Sequence, residues 1–312
     1  FPELAEKMND VAEIRVENSD DHYTIKRVKD QWFVVEKNNY PAKFSKIRET
    51  IAGVSNLMIV DAKTKNPDLY SRIAVKDAKG KDFDSKYLGL KDASGKVIAE
   101  ILVGNRKFNM GGGEDDEGIY FRRPTEEKAW LARGKLELSR DILDWLDQTL
   151  VDVKVDRVRR VHTRTADGKE IIISRNAAST KGFTLENLPD AAKLKDNADT
   201  TLIDLASALK EMELRDIAPE SEKAFPADKT FMATYQTFKG LTVILKMVTT
   251  GNDTWAEVTA EANPKMADAV KEAAAINKRS EGWVFKLWDY KVKPLKVQMK
   301  DLLDTGDKKK SS

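Results

Sequence analysis

A chain of 312 residues has room for two domains of ordinary size, each burying its own core. Its 41% hydrophobic and 34% charged content fits a folded globular protein and excludes wholesale disorder. The near balance of 54 Lys+Arg against 52 Asp+Glu, a formal charge of +2, excludes a phosphate-tracking surface over the whole molecule, so nucleic acid is not expected as a partner.

Residues 11–36, VAEIRVENSDDHYTIKRVKDQWFVVE, alternate apolar and polar positions with breaks at Asn18–Asp21 and Lys29-Asp30, which predicts three short strands and two turns. From Phe44 the period changes. Phe44, Ile47, Ile51, Val54 and Met58 fall three or four apart and predict an amphipathic helix started by Pro41. Asn66-Pro67 marks a turn, and Tyr87–Val103 reads as a hairpin around Ser94-Gly95. Strands at Ile119–Phe121 and Ala129–Leu131 follow, and Ser139 is placed to cap a closing helix carrying Ile142, Leu143, Leu146 and Leu150.

From Val158 the order of elements starts again. VRRVHTRTADGKEIIISR is a strand pair with Asp167-Gly168 as its turn, and a helix carrying Leu202, Leu205, Leu209 and Met212 stands where the Phe44 helix stood. Leu214-Arg215-Asp216 answers Ile59-Val60-Asp61, and Phe231–Val248 around Gly240 answers the Gly95 hairpin. Trp255–Val258 answers Ile119–Phe121, Trp283–Leu287 answers the Trp130 strand, and a helix with Leu295, Met299, Leu302 and Leu303 closes the copy. One extra helix, Pro264–Asn277, occupies the place of the Pro124 turn. The expected fold is therefore α+β, a tandem duplication of a unit with a mainly antiparallel sheet covered by helices. The units are residues 1–152 and 153–306, with 307–312 a flexible tail; one shared sheet and two separate sheets satisfy the pattern equally.

Little in the chain points to catalysis. With no cysteine there is no thiol nucleophile, disulfide or thiolate metal site, and an oxidising compartment would tolerate the sequence. The two histidines, His22 in a turn and His162 on a strand, lack neighbours at metal-ligand spacing. Gly111-Gly112-Gly113 runs into Glu114-Asp115-Asp116-Glu117, which would repel phosphate, so it reads as a hairpin tip rather than a phosphate cradle. Serines have no elbow motif or histidine partner. A non-catalytic protein without metal or cofactor is expected.

Interaction surfaces are better supported. Trp145, Trp288 and Tyr290, on or beside the closing helices, are the candidate aromatic partner surface. Arg157, Arg159, Arg160 and Arg164 form a basic stripe that could meet an acidic partner or membrane headgroups. The first residue is Phe1 rather than Met, which leads us to expect a processed chain whose membrane anchor has been removed. No apolar run reaches the roughly 18 residues needed to span a bilayer.

The segments FPELAEKMNDVAEIRV, TKNPDLYSRIAV, WLDQTLVDVKVDRVRRV and GWVFKLWDYKVKPLKVQMKDLL together resemble a bacterial family catalogued as domain of unknown function 4340. The resemblance spans nearly the whole chain, departs from the usual pattern in the loop 106–118, and carries no catalytic residue. It implies a periplasmic protein held at the inner membrane by one N-terminal helix outside this chain. It also implies association with a gliding-motility-type ABC transporter. The expected function is thus a membrane-tethered accessory or scaffold protein that contacts transporter subunits or other envelope proteins. The alternative is a periplasmic binding module for a lipid, glycan or peptide in the groove between the two units.

Overall fold

Turn chemistry sets the first sheet. Asn18 accepts the amides of Asp20 and Asp21 at 2.9 and 3.0 Å and reverses the chain between β1 (Val11–Glu17) and β2 (His22–Val28), and β3 (Gln31–Val34) and β4 (Tyr40–Pro41) follow in register. A computed structural model describes residues 1–77, 84–111 and 117–304, so residues 112–116 of the expected hairpin tip and the expected tail 307–312 lie outside the described residues. The fold is mixed α/β, dominated by two large antiparallel sheets with few helices. The chain divides into two units, Phe1–Asp147 and Gln148–Ser312.

In the first unit the short helix α1 (Pro2–Lys7) precedes β1, and α2 (Phe44–Ser55) precedes β5 (Met58–Ala62). Four strands follow: β6 (Lys86–Asp92), β7 (Val97–Lys107), β8 (Gly118–Arg122) and β9 (Ala129–Arg133). The sheet runs β4-β3-β2-β1-β6-β7-β8-β9-β5. Val11, Ile14, Val16, Ile25, Leu88, Leu90 and Ile101 are buried, the inward half of each alternating strand. α2 adds Ile47, Ile51 and Val54, the stripe its sequence period requires.

The second unit opens with β10 (Thr149–Val151), β11 (Val158–Arg164), β12 (Glu170–Ser174) and β13 (Thr184–Leu185). α3 (Ala198–Ser207) leads to β14 (Met212–Pro219), β15 (Thr230–Thr237), β16 (Leu241–Thr250) and β17 (Asp253–Ala262). α4 (Ala267–Ser280), β18 (Trp283–Leu287), α5 (Asp289–Leu295) and α6 (Met299–Leu302) complete it. Its sheet runs β10-β14-β18-β17-β16-β15-β11-β12-β13. From β14 to β13 this order repeats β5-β9-β8-β7-β6-β1-β2-β3 of the first sheet, strand for strand. Gly168, at φ +81°, supplies the left-handed residue of the β11–β12 turn.

Three local expectations are corrected. Pro41 lies in β4 rather than at a helix start, and α2 begins at Phe44 after Lys43, whose amide donates to the Trp145 carbonyl at 2.6 Å. The helix expected after Ser139 is a single 3₁₀ turn, Ile142–Trp145. Asp141 caps that turn through the Leu143 amide at 2.8 Å, Ser139 turns instead to the Asp144 carboxylate, and Leu150 joins β10. The closing helix of the second unit is two pieces: α5 ends at Leu295 with Pro294 inside its last turn, and a Gln298/Asp301 capping box restarts the chain as α6.

Candidate docking surface

Trp145, expected on an exposed partner surface, is 0% exposed. Its indole N–H donates to the Tyr23 hydroxyl at 3.0 Å and its ring meets Tyr23 edge-on, centroids 6.1 Å apart, while Tyr23 donates to the Ser139 carbonyl at 2.9 Å. Burial pushes the Tyr23 hydroxyl well above the ordinary tyrosine range, so it stays protonated and remains a donor. The apolar spacing that suggested a helix face belongs to a tryptophan that pins the 139–145 segment onto β2.

The other two aromatics do reach solvent, Trp288 at 38% and Tyr290 at 62% exposure. Arg215 lies over the Trp288 ring at 5.4 Å and Lys291 over Tyr290 at 5.5 Å, so both faces carry a cation of their own unit. The basic stripe is largely turned to internal carboxylates. Arg157 grips Glu272 with two bonds at 3.0 and 2.6 Å, Arg160 holds Glu186 at 3.0 Å, and Arg164 lies 3.8 Å from Glu170. The Arg160 bond holds the Glu186 carboxyl below the usual carboxylate range. Arg159 is exposed. His162 is on β11, which is paired on both sides by β12 and β15. Among the described residues no group of three or more His, Asp or Glu is arranged to hold a metal ion.

The surface that sequence reasoning missed is the end of the first sheet. Among the described residues β5 pairs with β9 alone and ends the sheet, and all five of its residues are exposed. Met58, Ile59 and Val60 stand 62%, 48% and 45% exposed, three large apolar side chains in a row on an unpaired edge. A register shift between Ile59 and Asp61 leaves Val60 without a cross-strand partner, and Asp61 forms a close ion pair with Lys63 beside it. β14, which holds the matching position in the second sheet, is instead flanked by β10, and its Met212, Leu214, Ile217 and Ala218 are buried. Ile59-Val60-Asp61 was visible in the sequence as a short strand, but Met58, expected on the preceding helix, is the first residue of β5. Which strand ends a sheet is a long-range property, so the exposure of β5 was not visible.

Two antiparallel nine-stranded sheets define a mixed α/β protein, and among the described residues the β5 end of the first sheet is an exposed apolar edge. Over residues 32–235 the sequence matches the family described as Domain of unknown function (DUF4340), and the chain belongs to that family. The matched stretch begins in β3 and ends in β15, so it takes in parts of both units. No curated protein and no solved structure matches the chain.

Proposed function

We propose that this chain is a non-catalytic, membrane-tethered accessory or scaffold protein of the periplasm, working with an ABC-type transport system through protein contacts. The bare β5 edge carries the reading: natural proteins cover, shorten or charge such edges, and this one keeps Met58, Ile59 and Val60 at the surface. An extended segment of an envelope partner laid against β5 would gain main-chain hydrogen bonds and bury those three side chains. The same proposal includes a tandem duplication, supported by the repeated order of eight strands in the two sheets, and a sheet covered by helices in each unit.

The test places a photo-crosslinking residue at Ile59 of the full-length protein in native membranes and identifies the products by mass spectrometry. A transporter subunit or another envelope protein crosslinked at Ile59, and absent when the label is moved to the exposed Arg159, is the expected result. Capture of the same products from both positions, or of none from Ile59, overturns the proposal.

A further inference from the structure

The first unit contains a second feature that the docking surface does not use, a cleft of about 440 Å³. That volume lies in the range of small-molecule sites, about 300–1,000 Å³. Its walls come from α2, β6, β7, β8 and the 136–144 segment, and four cations line it: Lys46, Lys86, Arg106 and Arg140. They arrive from four different stretches of chain, one from α2, one from β6, one from β7 and one from beyond β9.

Local structure explains why they converge. β7 and β8 slip register between Val103 and Arg106, and the irregularity brings Val103, Gly104, Asn105 and Arg106 all onto the cleft, where strict alternation would send every second one away. Gly104 permits it, because a Cβ there would fall 2.1 Å from the Ile73 carbonyl oxygen. The opposite wall is the segment pinned by Trp145 and Tyr23, which holds Ser139 and Arg140 in place.

The charges are unevenly matched. Arg106 is satisfied by Glu137 at 2.8 Å and lies 4.0 Å from Glu117. The Lys46 ammonium donates to the Glu137 carbonyl at 3.1 Å and the half-buried Lys86 ammonium to the Leu138 carbonyl, neutral acceptors that leave the charges uncompensated. Among the described residues no carboxylate pairs with Lys46, Lys86 or Arg140. Three acids line the cleft against the four cations: Glu137 is held by Arg106, Asp144 accepts the Ser139 hydroxyl, and Asp84 is exposed to solvent, which leaves one positive charge in excess. Burial, then the nearby charges of Arg140, Arg106 and Lys46, hold the Lys86 ammonium below the ordinary lysine range. Like charges crowd a recess that a bound anion would relieve.

We propose that this cleft binds a phosphate group, carried by a phospholipid headgroup or by a small soluble phosphate. Lysine and arginine donors that approach from separate directions suit a tetrahedral phosphate, with acceptor oxygens pointing several ways, better than a planar carboxylate. This proposal does not rest on the scaffold reading.

The test titrates the full chain with inorganic phosphate by calorimetry and, separately, floats it with vesicles of phosphatidylcholine alone or mixed with phosphatidylglycerol. Saturable phosphate binding is expected if the source is soluble, and flotation only with phosphatidylglycerol vesicles if the source is lipid. In either arm Lys86→Gln combined with Arg140→Gln is expected to weaken binding by at least about tenfold. Arg159→Gln with Arg164→Gln, which removes equal charge from the second unit, is expected to leave it unchanged. Circular dichroism confirms that each variant folds, and Arg140→Gln alone serves if the double variant does not. Absence of binding in both arms overturns the proposal. So does binding that survives loss of the cleft cations, or that falls equally in the two double variants.

Discussion

The two units share a strand order and differ in what has been laid on it. In the second unit β10 flanks β14, and α4 packs on β16 and β17, fixed by Asn277, which pairs with both the amide and carbonyl of Ala260 at 2.7 and 2.8 Å. In the first unit the β8–β9 connection is a short turn, β5 is bare, and a cationic cleft opens beside β7. A repeated topology thus tolerates different coverings, and the places where the units differ are where specific contacts are to be sought.

The largest effect that would break this comparison is at Trp145. Trp145→Ala removes a fully buried indole and the donor to Tyr23, and a loss of about 3–5 kcal/mol in urea unfolding is expected. A loss below about 1 kcal/mol would show that the 3₁₀ turn is not held by this contact.

Each unit also buries one arginine, with different partners. Arg122 donates to the Val75 and Glu126 carbonyls and to the Asp77 carboxylate, with its guanidinium 4.7 Å from the Tyr70 ring. Arg175 donates only to carbonyls, those of Val158, Thr180 and Val155, and lies over Phe183 at 4.7 Å. Burial holds the Arg175 guanidinium below its ordinary range, yet it stays charged. Arg175→Met strands three carbonyls and is expected to cost about 3 kcal/mol, again read by urea unfolding.

Gly104→Ala should cost about 1–3 kcal/mol, because Ile73 and Val75 must move away from the new methyl. An unchanged midpoint would mean that the close approach of the 73–75 segment is dispensable.

Ile59→Lys tests the bare edge and should change stability by no more than about 0.5 kcal/mol, since the side chain is already exposed. Loss of partner capture by a photo-crosslinking residue at Met58 is expected at unchanged stability, and undiminished capture would remove β5 from the docking surface.

The smallest effect is a titration. Lys169, at 2.6 Å, and the Thr165 hydroxyl hold Asp167 down at about 2. A carboxyl lowered on folding stabilises above its unfolded value, near 3.8, and that contribution fades as pH falls toward 2. Asp167→Asn should flatten acid unfolding in this window only, and an NMR midpoint near 3.8 for Asp167 would refute the pairing.

Much of the local order was legible. Val11–Val34, the Ile47, Ile51 and Val54 stripe, the Gly95, Gly168 and Gly240 turns and the extra helix before Trp283 follow from period and turn residues, and the structure places elements there, whereas Phe44 is exposed and Met58 falls in β5. The helix expected after Ser139 was not, because Ile142, Leu143 and Leu146 carry a helical period while Trp145 finds Tyr23, 122 residues away in sequence. The basic stripe was legible as charge, but the Glu272 and Glu186 that neutralise it come from distant segments.

The sequence by itself determined the alternation of strands and helices, the turn positions and the charge inventory, because these depend on neighbours a few residues apart. Only the tertiary structure decided that β5 ends a sheet, that Trp145 is interior, and that Lys46, Lys86, Arg106 and Arg140 share one cleft. Sheet edges and charge clusters are made by residues tens of positions apart, brought together by strand pairing that no local pattern encodes.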